Sequence, residues 1–191
     1  MDMTESNVRQ WLRVSTMART QLGVSVPEGF QYACMEDYVN QNGVDFTSQE
    51  LTAEEMSIVF DAVDNSRKRF EQRQCYYNAQ MLVHHDFSDQ LVYHEGWAYG
   101  QAIIAVQHGW ATINGKVIDL TWRLDQPVRK KGRLRDRVIG VFPKGFEYVG
   151  VPFPDKDVLR HLMLKRGWVG TIIDDWENGW PLLRGETLRV A

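Results

Sequence analysis

The chain has 191 residues, 43% of them hydrophobic and 25% charged, with a formal net charge of −3. That length suits one domain with its own core. The near-neutral balance excludes a chain built to coat nucleic acid or an anionic surface, and the one local exception is the run "RKKGRLRDR" at 129–137. No apolar run approaches the roughly 20 residues needed to span a bilayer. The N-terminus "MDMTESNVRQWLRV" lacks the apolar stretch and cleavage site of a signal peptide. The expectation is therefore a cytoplasmic protein with neither a membrane nor a nucleic-acid partner. Cys34 and Cys75 make no disulfide framework and, without a C-x-x-C or H-x-x-x-H, no zinc set. No metal or cofactor is expected.

Residues 4–22 predict a helix, with Thr4 placed to cap it and Val8, Trp11, Leu12, Met17 and Leu22 recurring at helical spacing. Gly23 and Pro27 end it. A shorter helix over 32–41 is stopped by Gly43. The clearest helical segment is "SQELTAEEMSIVFDAVDNSRKRFEQ". There Thr52 and Glu55 have the spacing of a capping box, and Met56, Val59, Phe60, Val63 and Phe70 keep the period. "QCYYNAQMLVHHD", at 74–86, predicts a further short helix with Tyr77, Met81 and Leu82 turned inward.

The composition then changes. "QLVYHEGWAYG", "QAIIAVQHGWATI" and "KVIDLTW" are rich in aromatic and branched residues, the signature of strands. Asn114-Gly115 is a strong hairpin signal, because both central positions of a type I′ turn need positive φ. With those two residues as the loop, Ile113 faces Lys116, Trp110 faces Asp119 and His108 faces Thr121. All four residues from His108 to Thr121 in these two pairs share one face of the sheet. His108 and Asp119 become diagonal neighbours, the arrangement by which a carboxylate orients an imidazole. After the basic loop come a strand, "FEYVGVPF", and a helix from Pro154-Asp155 to Lys165 that Gly167 ends. "GTIIDDWENGWPLLRG" closes the chain as a short strand or loop.

A His–Asp pair needs a nucleophile, and Cys75 is the candidate. It follows Gln74 and opens a helix, where the dipole and free backbone N–H groups favour a thiolate and can receive an oxyanion. A cysteine at a helix start, then "HGW" at 108–110, then "VIDLTW" at 117–122 resembles the transglutaminase-like branch of the papain-like cysteine proteins. The likeness covers about residues 70–125. Tyr76 stands where that branch often has Trp, and Leu120 where it has Pro. The wider set "YHEGWA", "HGW", "IDLTW" and "YVGVPF" is also similar to small uncharacterised proteins of tailed bacteriophages. The resemblance implies an α+β fold with helices packed on an antiparallel sheet. It also implies a triad of Cys75 as nucleophile, His108 as general base and acid, and Asp119 as the orienting carboxylate.

Other residues carry two readings each. Glu95 is an outward-facing edge residue, or a buried group that orders the site or touches substrate. Asn78 lies one helical turn beyond Cys75 and either lines the pocket or serves as a cap. Trp110, in "HGW", is assigned to substrate binding or site ordering. His84-His85-Asp86 reads as a solvated helix end rather than a metal site, and His94 faces away from Glu95. Cys34 reads as core. The basic run is an exposed loop or a lure for an anionic ligand. Most tryptophans are core, with Trp176 and Trp180 as candidates for a cleft rim.

The chain is expected to form a single domain, 1–191, with a helical portion over 1–72 and the cysteine helix plus antiparallel sheet over 73–191. The expected function is cysteine-dependent acyl transfer, most simply hydrolysis of an amide, isopeptide or related bond in a protein or peptide. For a phage accessory protein the location would be the host cytoplasm. The alternative is an inactive phage protein on the same fold that binds or inhibits a host protein. An exposed patch around Trp168, Trp176 and Trp180, or an inaccessible Cys75, would favour it. A third reading is capture of an anionic small molecule by the arginine-rich loop.

Overall fold

The computed structural model describes residues 5–66, 70–71, 73–100, 104–125, 141–142, 144–166 and 170–189. It is an α+β protein. The elements run α1 (Asn7–Gln21), α2 (Met35–Asn42), β1 (Val44–Phe46), α3 (Ala53–Ser66), α4 (Cys75–His84), β2 (Leu91–Tyr99), β3 (Val106–Ile113), β4 (Lys116–Ile118), α5 (Leu120–Asp125), β5 (Glu147–Phe153) and α6 (Lys156–Arg166). The five strands form one curled antiparallel sheet in the order β1-β5-β2-β3-β4. None of the described helices is long and apolar enough to cross a membrane.

Local chemistry accounts for most of the boundaries. α1 starts three residues later than the hydrophobic pattern suggests because Ser6 accepts the Arg9 N–H as N-cap; Thr4 lies outside the described residues. Val8 and Leu12 are its buried stripe, whereas Met17 and Leu22 are exposed. The capping box at α3 is formed: Glu55 N–H donates to Thr52 Oγ1 at 3.2 Å, and Thr52 N–H donates to Glu55 Oε2 at 2.8 Å. α3 ends at Ser66, so Phe70 lies beyond it. Asp155 caps α6 through the N–H groups of Asp157 and Val158. The C-terminal segment holds no strand among its described residues, only a 3₁₀ turn at Trp176–Asn178. The basic run 129–137, Gly167 and Trp168 lie outside the described residues.

The hairpin pairs Ile113 with Lys116, Thr112 with Val117 and Ala111 with Ile118, with positive φ at Asn114 and Gly115. The expected pairing of Trp110 with Asp119 and His108 with Thr121 does not continue, because β4 stops at Ile118 and α5 begins at Leu120. The reason is Asp119 itself. Its Oδ1 accepts the Trp122 N–H at 3.0 Å, an N-cap bond that turns the strand into a helix.

The sheet is covered on both faces. Tyr93 and Trp97 of β2 face α1 and α4, where Trp97 meets Trp11 with ring centroids 5.9 Å apart. His94 and Ala98 point the other way, into a second cluster built on Trp110, Val117 and Tyr148 and flanked by Phe46, Trp122, Phe142 and Phe146. Gly150 of β5 leaves room for that cluster, since a Cβ there would collide with the Trp110 indole. His108 lies on this aromatic side.

Candidate active site

Three elements converge on His108. It projects from β3 and is 3% exposed, so any polar contact it makes is a desolvated one. Its Nε2 donates to Asp119 Oδ2 at 2.7 Å. The sequence pattern thus brings these two side chains together, through a helix cap rather than through strand pairing. Trp122 of α5 stacks on the imidazole at 4.6 Å between centroids, and Trp110 lies 6.3 Å away at 20°. Cys75 opens α4 and is half-buried. Cys75 is among the groups that act electrostatically on the His108 ring.

The electrostatics follow from this packing. Burial pushes the His108 pKa down, but the charge and hydrogen bond of Asp119, together with Cys75, outweigh it and raise the value to about 10. For Asp119 burial pushes up. The imidazole, the Trp122 N–H and the Tyr148 hydroxyl hold the carboxyl below its ordinary value. Both shifts favour the charged forms, an imidazolium beside a carboxylate.

Asn78 is shut off from solvent. It is 1% exposed. Its Nδ2 donates to Glu71 O and Thr121 Oγ1, both at 2.7 Å, and its Oδ1 accepts the Glu71 N–H at 3.0 Å. One side chain thus joins the segment leading into Cys75 to the first turn of α5, two residues after Asp119. Arg73, in that same leading segment, has φ 62°, a left-handed conformation uncommon for a residue with a side chain.

Glu95 is not an edge residue. It is 1% exposed, on the sheet face opposite His94. Its carboxylate accepts from the hydroxyls of Tyr93 and Thr171 at 2.7 Å each, and from the N–H groups of Ile172 and Ile173 at 2.7–3.0 Å. Burial raises its pKa while these donors pull it down. Gln80 of α4 extends the network, donating to Tyr93 Oη at 2.9 Å and Gly170 O at 2.6 Å. This knot joins the 170–173 segment to β2 and α4. Trp110 is fully buried and serves as the aromatic floor under His108 and His94. His94 shares a 3.0 Å hydrogen bond with Thr112, and burial lowers its pKa to about 3, so it is neutral.

Two site residues escape a sequence reading. Thr121 is visible in "DLT", but its partner Asn78 is 43 positions away. Tyr148 donates to Asp119 Oδ2 at 2.9 Å across 29 positions, and nothing in "YVGVPF" announces it. Among the described residues no group of three or more His, Cys, Asp or Glu is arranged to hold a metal ion. Cys34 is buried at the start of α2. Trp176 is 62% exposed, and Trp180 is partly buried, its Nε1 donating to Asp174 Oδ1 at 2.8 Å. Comparison with protein-family models, with curated protein sequences and with solved structures found no match.

Proposed function

We propose that the protein is a cysteine-dependent acyl-transfer enzyme that cleaves an amide, isopeptide or related bond in a protein or peptide. The observation that carries this reading is the buried His108–Asp119 pair, 2.7 Å between Nε2 and Oδ2, beside a half-buried cysteine at a helix N-terminus. A structural ion pair needs no accessible thiol next to it. A nucleophile–base–orienter set does. The papain-like arrangement, a cytoplasmic location and a phage accessory role belong to the same proposal, on the motif resemblance alone.

In this mechanism the Cys75 thiolate attacks the carbonyl carbon and forms a C–S bond. The oxyanion is received by backbone N–H groups at the start of α4. The His108 imidazolium gives its proton to the leaving nitrogen as the C–N bond breaks, and a thioester remains. Water then attacks the thioester. His108 takes a proton from that water, the C–S bond breaks, and the acid leaves with Cys75 returned as thiolate. Asp119 holds the ring in place and stabilises its charged form throughout. Water is the default acceptor because it needs no binding site of its own.

The test is alkylation of Cys75 by iodoacetamide, followed by peptide mass mapping so that Cys34 is counted separately. Wild type is expected to react rapidly at neutral pH, and His108→Ala about a hundredfold more slowly, the lower end of the range for loss of a positioned base. Equal rates in the two proteins would refute the triad. The binding-protein alternative draws on one observation, the exposed apolar residues Val14, Met17, Leu22, Val24 and Val26 along and after α1. It gains if Cys75 is inert.

A further inference from the structure

Asp119 has more than one partner inside the site, and the second comes from an unexpected strand. Its Oδ2 receives both His108 Nε2 at 2.7 Å and Tyr148 Oη at 2.9 Å, while Oδ1 receives the Trp122 N–H at 3.0 Å. Each donor arrives from a different element: β3, β5 and α5. Tyr148 is 2% exposed and reaches Asp119 from the strand two places away from β3 in the sheet. A buried phenol hydroxyl needs a partner, but a neutral acceptor would serve. Here it is spent on the oxygen that already holds the imidazole.

We infer that Tyr148 is a fourth, positioning member of the site, which holds the Asp119 carboxylate ionised and fixed in rotation so that it can hold His108 toward Cys75. This rests on the acyl-transfer reading above. The physical basis is that a buried carboxylate bound by one donor per oxygen can rotate or take up a proton. One bound from three directions has less of either freedom, and a charge-assisted hydrogen bond is among the stronger ones available. The titratable groups facing Asp119 among the described residues are His108 from β3, Tyr148 from β5 and, behind His108, Cys75 from α4. Loss of the hydroxyl therefore acts first on the carboxylate. Without the hydroxyl, Asp119 takes up a proton at higher pH, and the imidazole loses the counter-charge that orients it toward Cys75.

Tyr148 also packs on Trp110, Trp122 and Phe142, with centroids 4.9–5.5 Å apart, so a purely structural role must be separated from positioning. Tyr148→Phe keeps the ring and removes only the hydroxyl. Tyr32→Phe, which removes another buried phenol hydroxyl remote from the site, is the control. The experiment is the pH profile of Cys75 alkylation by iodoacetamide in wild type, both variants and His108→Ala, with thermal unfolding measured alongside. In Tyr148→Phe the acid limb is expected to move up by about one pH unit, a roughly tenfold slower reaction on that limb, as expected for one hydrogen bond to a charged group. Tyr32→Phe should leave the limb where it is. A Tyr148→Phe profile that overlays wild type, with only the melting temperature lowered, overturns the inference and leaves the triad standing. A His108→Ala profile that overlays wild type overturns both.

Discussion

Removing the Asp119 carboxylate strands three donors at once, which makes Asp119→Ala the most informative stability test. The His108 Nε2, the Tyr148 hydroxyl and the Trp122 N–H would all lose their acceptor. Breaking a buried ion pair from one side costs about 3–5 kcal/mol, and losing an N-cap about 1 kcal/mol. The terms overlap, because His108 can shed its proton once its counter-charge is gone, so the expected loss is about 4 kcal/mol. With a urea slope of about 2 kcal/mol per molar, that moves the unfolding midpoint down by about 2 M. Asp119→Asn keeps the cap and the shape but not the charge, and should cost about 1–3 kcal/mol. The pH dependence carries a definite sign. The raised pKa of His108 makes its contribution complete below the ordinary 6.5 and lost as pH climbs through about 10. The lowered pKa of Asp119 makes its contribution complete above the ordinary 3.8 and lost as pH falls through its folded value. The gap between wild type and Asp119→Asn should therefore be widest between those ordinary values and shrink on the alkaline side. Urea titrations across that range, followed by tryptophan fluorescence, read it directly. A gap that stays constant to pH 10, or an Asp119→Ala protein as stable as wild type near pH 6, would refute the reasoning.

Glu55→Ala should cost about 2 kcal/mol, because the same carboxylate closes the α3 capping box and anchors the hairpin through Asn114 at 2.9 Å and Lys116 at 2.8 Å. The hydrogen bonds from Asn114 and then Lys116 hold its pKa at about 2, so its contribution is complete above the ordinary 4.5 and lost as pH falls toward that value. Urea midpoints of wild type and Glu55→Ala should converge on acidification; a difference unchanged down to pH 2 would exclude this assignment. Gly150→Ala places a methyl group against the Trp110 indole and the Glu95 carbonyl, an overpacking expected to cost about 1–3 kcal/mol. Weakened near-ultraviolet circular dichroism with unchanged far-ultraviolet signal is the expected signature, and unaltered spectra would argue that the sheet yields there.

Much of the local structure was legible because its causes are local. Thr52 and Glu55 announce the start of α3 by their spacing, and Asn114-Gly115 announces the hairpin by its need for positive φ. Those two residues also set the strand register, which brought His108 into the neighbourhood of Asp119. The strand was read too long for a physical reason. "VIDLTW" is rich in branched and aromatic residues, but Asp119 places one carboxylate oxygen on the Trp122 N–H, and that bond decides for a helix. Glu95 shows the opposite limit: apart from Tyr93, its donors lie 76–78 positions away, so no window around it distinguishes an exposed edge from a buried knot.

The sequence by itself determined the punctuation of the chain and the side chains available for chemistry: Cys75 opening a helix, His108 on a strand, Asp119 after the turn. Turn chemistry, caps and hydrophobic period act over a few residues, and so they are written in consecutive letters. Only the tertiary structure decided that Tyr148 would share the Asp119 oxygen with His108, and that Asn78 would clasp Thr121 and the segment before Cys75. Those bonds join elements that meet through sheet order and packing, and their partners can be matched only after the chain has closed on itself.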